Sequence, residues 1–132
     1  MCSTDTSFKI LIVEDDPILA SFMAEVVKHQ GHEVAGIAGA SEAARNLASP
    51  DVDLALVDCN LRDGLTGPDL GRELADRYGI TVIFVTSQYD DQHNGIPGAF
   101  GVLRKPASVQ MIAAAISYGL SLRTPNGRCN SR

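Results

Sequence analysis

Apolar residues in this chain fall into short solid runs separated by stretches with helical spacing. Lys9–Val13, Val52–Val57, Thr81–Val85 and Phe100–Leu103 are apolar almost throughout, and each stops at an acidic, hydroxylic or basic residue. Runs of that kind are strands buried on both faces, as in a parallel sheet covered by helices. Glu33–Ile37 is a weaker candidate, second in chain order. Between the first two strands, Asp16 is placed to cap a helix with Pro17 at its first position and Gly31 at its end. Ile18, Phe22 and Val26 fall on one face of that helix. Further helices are predicted over Ser41–Ala48, over Pro68–Tyr78 with Leu70 and Leu74 inward, and over Ser108–Leu120 with Val109, Ile112 and Ile116 aligned.

Strand and helix thus alternate five times, with short connections. That pattern predicts an α/β fold, a doubly wound five-stranded parallel sheet with helices on both faces. The flavodoxin-like strand order 2-1-3-4-5 is the fold-level expectation, and it gathers strands one, three, four and five around one crevice. One segment breaks the pattern. Gln88–Gly98 should hold the fourth helix, but it has hardly any apolar stripe and contains Gly95, Pro97 and Gly98. A short or irregular fourth helix is expected there. A folded unit over 8–122 is expected between loose tails, 1–7 and 123–132.

The 132-residue length suits one domain that buries about two-thirds of its chain's surface. A content of 45% hydrophobic and 20% charged residues argues against disorder. The net charge of −5 offers nucleic acid no electrostatic attraction. No apolar run is long enough to span a membrane, and the first residues lack the pattern of a signal peptide. A cytoplasmic location with no membrane insertion is expected. Cys2, Cys59 and Cys129 have no metal-ligand spacing and read as reduced thiols. His29, His32 and His93 lie outside the strand ends and read as exposed side chains.

The strand ends carry the chemistry, because open parallel sheets bind ligands at the strands' carboxyl ends. Glu14 and Asp15 follow the first strand and Asp58 follows the third. Three carboxylates in one crevice repel one another unless a cation neutralises them. Magnesium suits oxygen ligands and phosphate, and the Asn60 backbone carbonyl can add a ligand. Lys105 precedes Pro106, which holds the lysine's backbone extended. Its ammonium can neutralise Asp58 and then pair with a phosphoryl oxygen. The Thr86 hydroxyl can take another such oxygen. Asp58 is the expected nucleophile, and an ionised carboxylate needs no base.

These residues resemble the receiver domain of response regulators over roughly Phe8 to Leu122. The matching motifs are Leu11-Ile-Val-Glu-Asp-Asp-Pro17, the strand ending in Asp58, Val85-Thr86, and Gly98-Ala-Phe-Gly-Val-Leu-Arg-Lys-Pro106. The resemblance implies a phosphoacceptor at Asp58, magnesium held by Glu14, Asp15, Asp58 and the Asn60 carbonyl, and phosphoryl partners in Thr86 and Lys105. It implies that Asn60 and Gln88 tune the phosphate's lifetime. It also implies a sensor histidine kinase or histidine phosphotransfer protein as donor, and a surface around the 88–98 segment, the last strand and the last helix that changes partner preference. Such a protein signals and is not an enzyme beyond its self-catalysed phosphoryl transfer and slow autodephosphorylation.

The chain departs from the family pattern in three places. Val102 stands where the family has an aromatic switch residue, with Phe100 and Tyr89 as candidates for its role. The loop Leu61-Arg-Asp-Gly-Leu-Thr-Gly67 lacks the usual proline and is one residue longer. The weak fourth helix lies on the usual output surface.

The chain ends ten residues after the expected folded unit, so the expected form is a stand-alone receiver acting through contacts with an unknown downstream protein, as a monomer or weak dimer. Rivals are a receiver-like scaffold that works unphosphorylated, and an aspartate-nucleophile phosphatase using Asp51 and Asp53. The phosphatase pair stands at the start of its strand rather than after it, and has no cap domain. A flavin site is disfavoured by the acidic first loop.

Overall fold

The computed structural model describes residues 7–87, 99–121 and 123. Its elements are β1 (Lys9–Val13), α1 (Pro17–His29), β2 (Glu33–Ala38), α2 (Ser41–Leu47), β3 (Leu54–Val57), α3 (Gly67–Tyr78), β4 (Thr81–Thr86), β5 (Gly101–Arg104) and α4 (Val109–Leu120). The five strands form one parallel sheet in the order β2-β1-β3-β4-β5. The predicted fold therefore stands. The predicted fourth helix, with Tyr89 and His93, lies outside the described residues.

Alternation along the strands divides the core into two layers. Ile10, Ile12, Leu54, Leu56, Ile83 and Val85 face α1 and α4, where they meet Met23, Val27, Ile112 and Ile116. Leu11, Val13, Ala55, Val57, Val82 and Phe84 face α2 and α3, where Leu70 and Leu74 cover them. β1, β3 and β4 are apolar on both faces because both are covered. Each fully buried Leu, Ile or Phe adds about 1.5–3 kcal/mol of transfer free energy. β2 pairs on one side only, and its residues are mostly half-exposed.

The first helix begins as its sequence dictates. The Asp16 carboxylate accepts from the backbone N–H groups of Ile18 and Leu19, and Pro17 opens the helix. Gly31 (φ +84°) follows its end, and its N–H bonds the Lys28 carbonyl. Of the expected inward face, Val26 is buried and Phe22 packs against the core, and Ile18 is the exception. Ile18 is 81% exposed, whereas Ala20, Met23, Ala24, Val26 and Val27 are buried. Ile18 falls in the first turn of α1, and the helix packs on the core through Met23, Val26 and Val27 with Ala20 and Ala24 between them. Val109 is likewise 46% exposed at the first position of α4, while Ile112 and Ile116 are buried.

β3 starts two residues later than the pattern suggested, because Asp53 has another task. The fully buried Asp53 carboxylate accepts from the Lys9 backbone N–H at 2.8 Å and lies 3.7 Å from the Arg123 guanidinium. Arg123 also donates to the Gly79 carbonyl and the Thr81 hydroxyl. The clasp ties the residue just past α4 to the sheet's amino-terminal edge. Asp51 is exposed at that same edge. Asp51 and Asp53 therefore stand at the opposite end of β3 from Asp58. Asp53→Ala leaves a buried N–H and a partly buried cation without this partner, and should cost about 2 kcal/mol. Urea unfolding checks it, with Asp51→Ala expected within about 0.5 kcal/mol of wild type.

Candidate functional site

The carboxyl ends of β1, β3, β4 and β5 open on one crevice, and the chain turns polar there. Glu14 continues β1, donating its N–H to the Ala38 carbonyl, and its side chain folds back to accept from Asp16 N–H at 3.1 Å. Asp58 continues β3 and donates its N–H to the Val13 carbonyl. Its Oδ1 accepts from the Asn60 N–H at 3.2 Å. Oxygens of Glu14, Asp15 and Asp58 lie within 4.8 Å of one another; Glu14 and Asp58 are buried and Asp15 is exposed.

Lys105 directly follows β5 and is joined to Pro106 by a cis peptide bond. Its N–H bonds the Thr86 carbonyl, and its ammonium lies 2.9 Å from Asp58 Oδ2 and 3.1 Å from Glu14 Oε1. One cation thus bridges two buried carboxylates. Burial by itself would lower the lysine's pKa; the hydrogen bond to Asp58 and the close Glu14 carboxylate, with their charges, outweigh it and hold the ammonium above its ordinary value. Burial pushes the Glu14 carboxyl up, aided by the Asp58 charge and opposed by the Asp16 N–H and Lys105.

Glu14 Oε1 is buried and accepts no well-directed hydrogen bond, although Lys105 is near. A buried carboxylate oxygen short of partners, beside two more carboxylates, is a donor set suited to a hard divalent cation. The residues fit magnesium.

Thr86 is buried at the end of β4, and its side chain hydrogen-bonds the Cys59 thiol. Burial pushes that thiol up, only partly offset by Thr86. Val102 is half-buried against the α2–α3 side of the core. Phe100 precedes β5 and pairs with Tyr118 of α4, ring centroids 5.3 Å apart. Gln88 lies outside the described residues.

The loop after Asp58 is built more firmly than its turn-rich composition implied. Gly67 opens α3 against the Asp58 backbone; a Cβ there would sit 2.1 Å from the Asp58 carbonyl oxygen. Asp63 accepts from the Ser41 backbone N–H at 3.3 Å, from the Ser41 hydroxyl, and from Thr66 Oγ1 at 2.8 Å. The Ser41 and Thr66 bonds hold its carboxyl below the usual carboxylate range. Sequence patterning missed Cys59, Arg62 and Asp63 as neighbours of the site. Only the spacing Asp63-x-x-Thr66, ahead of the helix that Gly67 opens, carried a local signal.

Among the described residues no helix is long and apolar enough to cross a membrane. Residues 10–117 match the response regulator receiver domain family. The phyllosphere-induced regulator PhyR of Methylorubrum extorquens is 31% identical over 121 residues, 89% of this chain and 45% of that protein. The transcriptional regulatory protein PdtaR of Mycobacterium tuberculosis is 30% identical over 119 residues, 86% of this chain and 57% of that one. The chain spans about half the length of the curated relatives it matches. Among solved structures, the receiver domain of Erythrobacter litoralis PhyR gives a TM-score of 0.77 at 25% identity, covering 95% of this chain and 97% of that one. PhyR from Brucella abortus gives 0.76 at 30% identity, covering 87% of this chain and 48% of that one. With its sheet order, crevice and matched sequence all in agreement, this chain belongs to the response regulator receiver domain family.

Proposed function

We propose that this receiver is a phosphoacceptor in a two-component phosphorelay, with Asp58 as the acceptor. The observation that carries the proposal is the Lys105 ammonium bridging Asp58 Oδ2 and Glu14 Oε1 in a crevice that also holds Asp15. In it, an Asp58 oxygen attacks phosphorus, the bond from phosphorus to the donor breaks, and the electron pair leaves with the donor. Lys105 lowers the repulsion between acceptor and incoming phosphoryl group, then pairs with a transferred oxygen. Glu14, Asp15, Asp58 and the Asn60 carbonyl are the residues to hold magnesium, which when bound neutralises the acids and binds phosphoryl oxygens. The Thr86 hydroxyl exchanges Cys59 for a phosphoryl oxygen, so that phosphorylation biases the conformation of β4 and its neighbours. Asn60 and Gln88 are the residues that tune the phosphoryl group's lifetime.

The donor is a sensor histidine kinase or a histidine phosphotransfer protein in the cytoplasm, and the output is a protein contact. A solved relative with the same fold, PhyR of Bartonella quintana, is described as an anti-anti-sigma factor, a precedent for protein-level output.

The test is intact mass after incubation with acetyl phosphate and magnesium. One added phosphoryl group, prevented by prior chelation, is the expected result. A folded protein that gains no mass under these conditions refutes the proposal.

A further inference from the structure

We propose that Arg62 is a donor-recognition residue, whose guanidinium receives an anionic oxygen of the phosphoryl group approaching Asp58. The inference rests on the proposed role of Asp58.

Arg62 stands in the loop between β3 and α3, four residues past Asp58. Its backbone N–H donates to the Gly39 carbonyl at 2.9 Å. The next residue, Asp63, is bonded to Ser41 and Thr66. Two connections, β2–α2 and β3–α3, are thereby stitched together, and the arginine's backbone is fixed at the crevice rim.

The side chain then runs over Gly39. A Cβ at Gly39 would lie 2.7 Å from Arg62 Nη2, 3.1 Å from its Cζ and 3.4 Å from the Asp15 Cα. A single methyl-sized position is therefore flanked by the guanidinium on one side and the backbone of the acidic cluster on the other. The guanidinium takes this position where Gly39 has no side chain, and a Cβ there would push the arginine's tip aside.

The guanidinium is exposed and makes no ion pair among the described residues, although Asp15 is its neighbour. Its donors remain available to solvent. A phosphoryl dianion entering this crevice meets three carboxylates, and Lys105 lies deeper, already engaged with two of them. A planar cation at the rim is suited to the first encounter, because it can present two N–H groups to two phosphoryl oxygens. It acts on capture of the donor, whereas Lys105 acts on the acceptor.

The experiment measures initial phosphorylation rates with acetyl phosphate and with phosphoramidate, across donor concentration and salt, in the presence of magnesium. Arg62→Gln should lower the second-order rate constant for both donors about tenfold and flatten its salt dependence. Arg62→Lys should recover part of the loss. Gly39→Ala retains the charge but displaces the guanidinium, and should slow uptake in the same direction. Urea midpoints verify that each variant is folded. Wild-type rates in Arg62→Gln, or a loss with unaltered salt dependence, would reduce Arg62 to a loop-packing residue. A wild type that takes no phosphoryl group from either donor overturns the Asp58 assignment itself, an outcome distinct from a phosphorylated wild type with an indifferent Arg62→Gln.

Discussion

Asp58→Asn is expected to yield a folded protein that gains no phosphoryl mass under conditions that saturate wild type. The amide keeps the shape of the buried side chain, and its single oxygen can accept from either the Asn60 N–H or the Lys105 ammonium but not both, which costs one of the two bonds. Lys105 keeps Glu14, 3.1 Å away, so no cation is stranded. The substitution also removes a like charge that helps to raise the Glu14 carboxyl. The lost ion pair and the relieved repulsion oppose each other, and stability should stay within about 1 kcal/mol of wild type. The chemistry has no such compensation, since a neutral amide is not a nucleophile toward phosphorus. Intact mass and urea unfolding on the same sample separate the two effects. An adduct on Asp58→Asn would mean that another residue is the acceptor.

Gly67→Ala should be the most damaging single-methyl change near the site, costing about 3 kcal/mol or more in urea unfolding. Helix propensity alone points the other way, since alanine improves on glycine by about 1 kcal/mol within a helix. Sterics decide the sign. The added Cβ would stand 2.1 Å from the Asp58 carbonyl oxygen and 2.6 Å from the Cys59 Cα. Both are backbone atoms and cannot rotate away as a side-chain tip would. The start of α3 must retreat, breaking the 3.0 Å bond from Gly67 N–H to the Cys59 carbonyl, or the acceptor's own peptide must shift. Slower phosphoryl uptake should accompany the stability loss. Wild-type stability would show that the β3–α3 loop yields freely.

What the sequence made legible was whatever is encoded locally. Apolar runs buried on both faces announced the parallel sheet, and polar residues at their ends located Glu14, Asp15, Asp58, Thr86 and Lys105 in one crevice. Asp16 and Pro17 marked the start of α1 because capping is a contact over two or three residues. Periodicity failed in the first turns of α1 and α4, at Ile18 and Val109. It also undervalued Ala20 and Ala24, whose small side chains permit close packing but contribute little to an apolar stripe. Asp53 resembled half of a phosphatase pair because its partners, Lys9 and Arg123, are remote in sequence. The rim was equally hidden. The seat of Arg62 over Gly39 depends on how two loops meet, and the contact of Gly67 with Asp58 depends on how closely α3 approaches β3.

The spread of the crevice along the chain has a consequence for the order of events during synthesis. Asp58 and Lys105 are 47 residues apart, and Glu14 comes from the first strand. A growing chain owns all three acids, and the strands that present them, long before β5 has been made. In that interval the pocket is anionic and lacks its internal cation. Only when Gly101–Arg104 zips onto Ile83–Thr86 does the lysine arrive between the carboxylates. On the proposed role of Asp58, readiness to accept a phosphoryl group therefore waits for β5 to be in place.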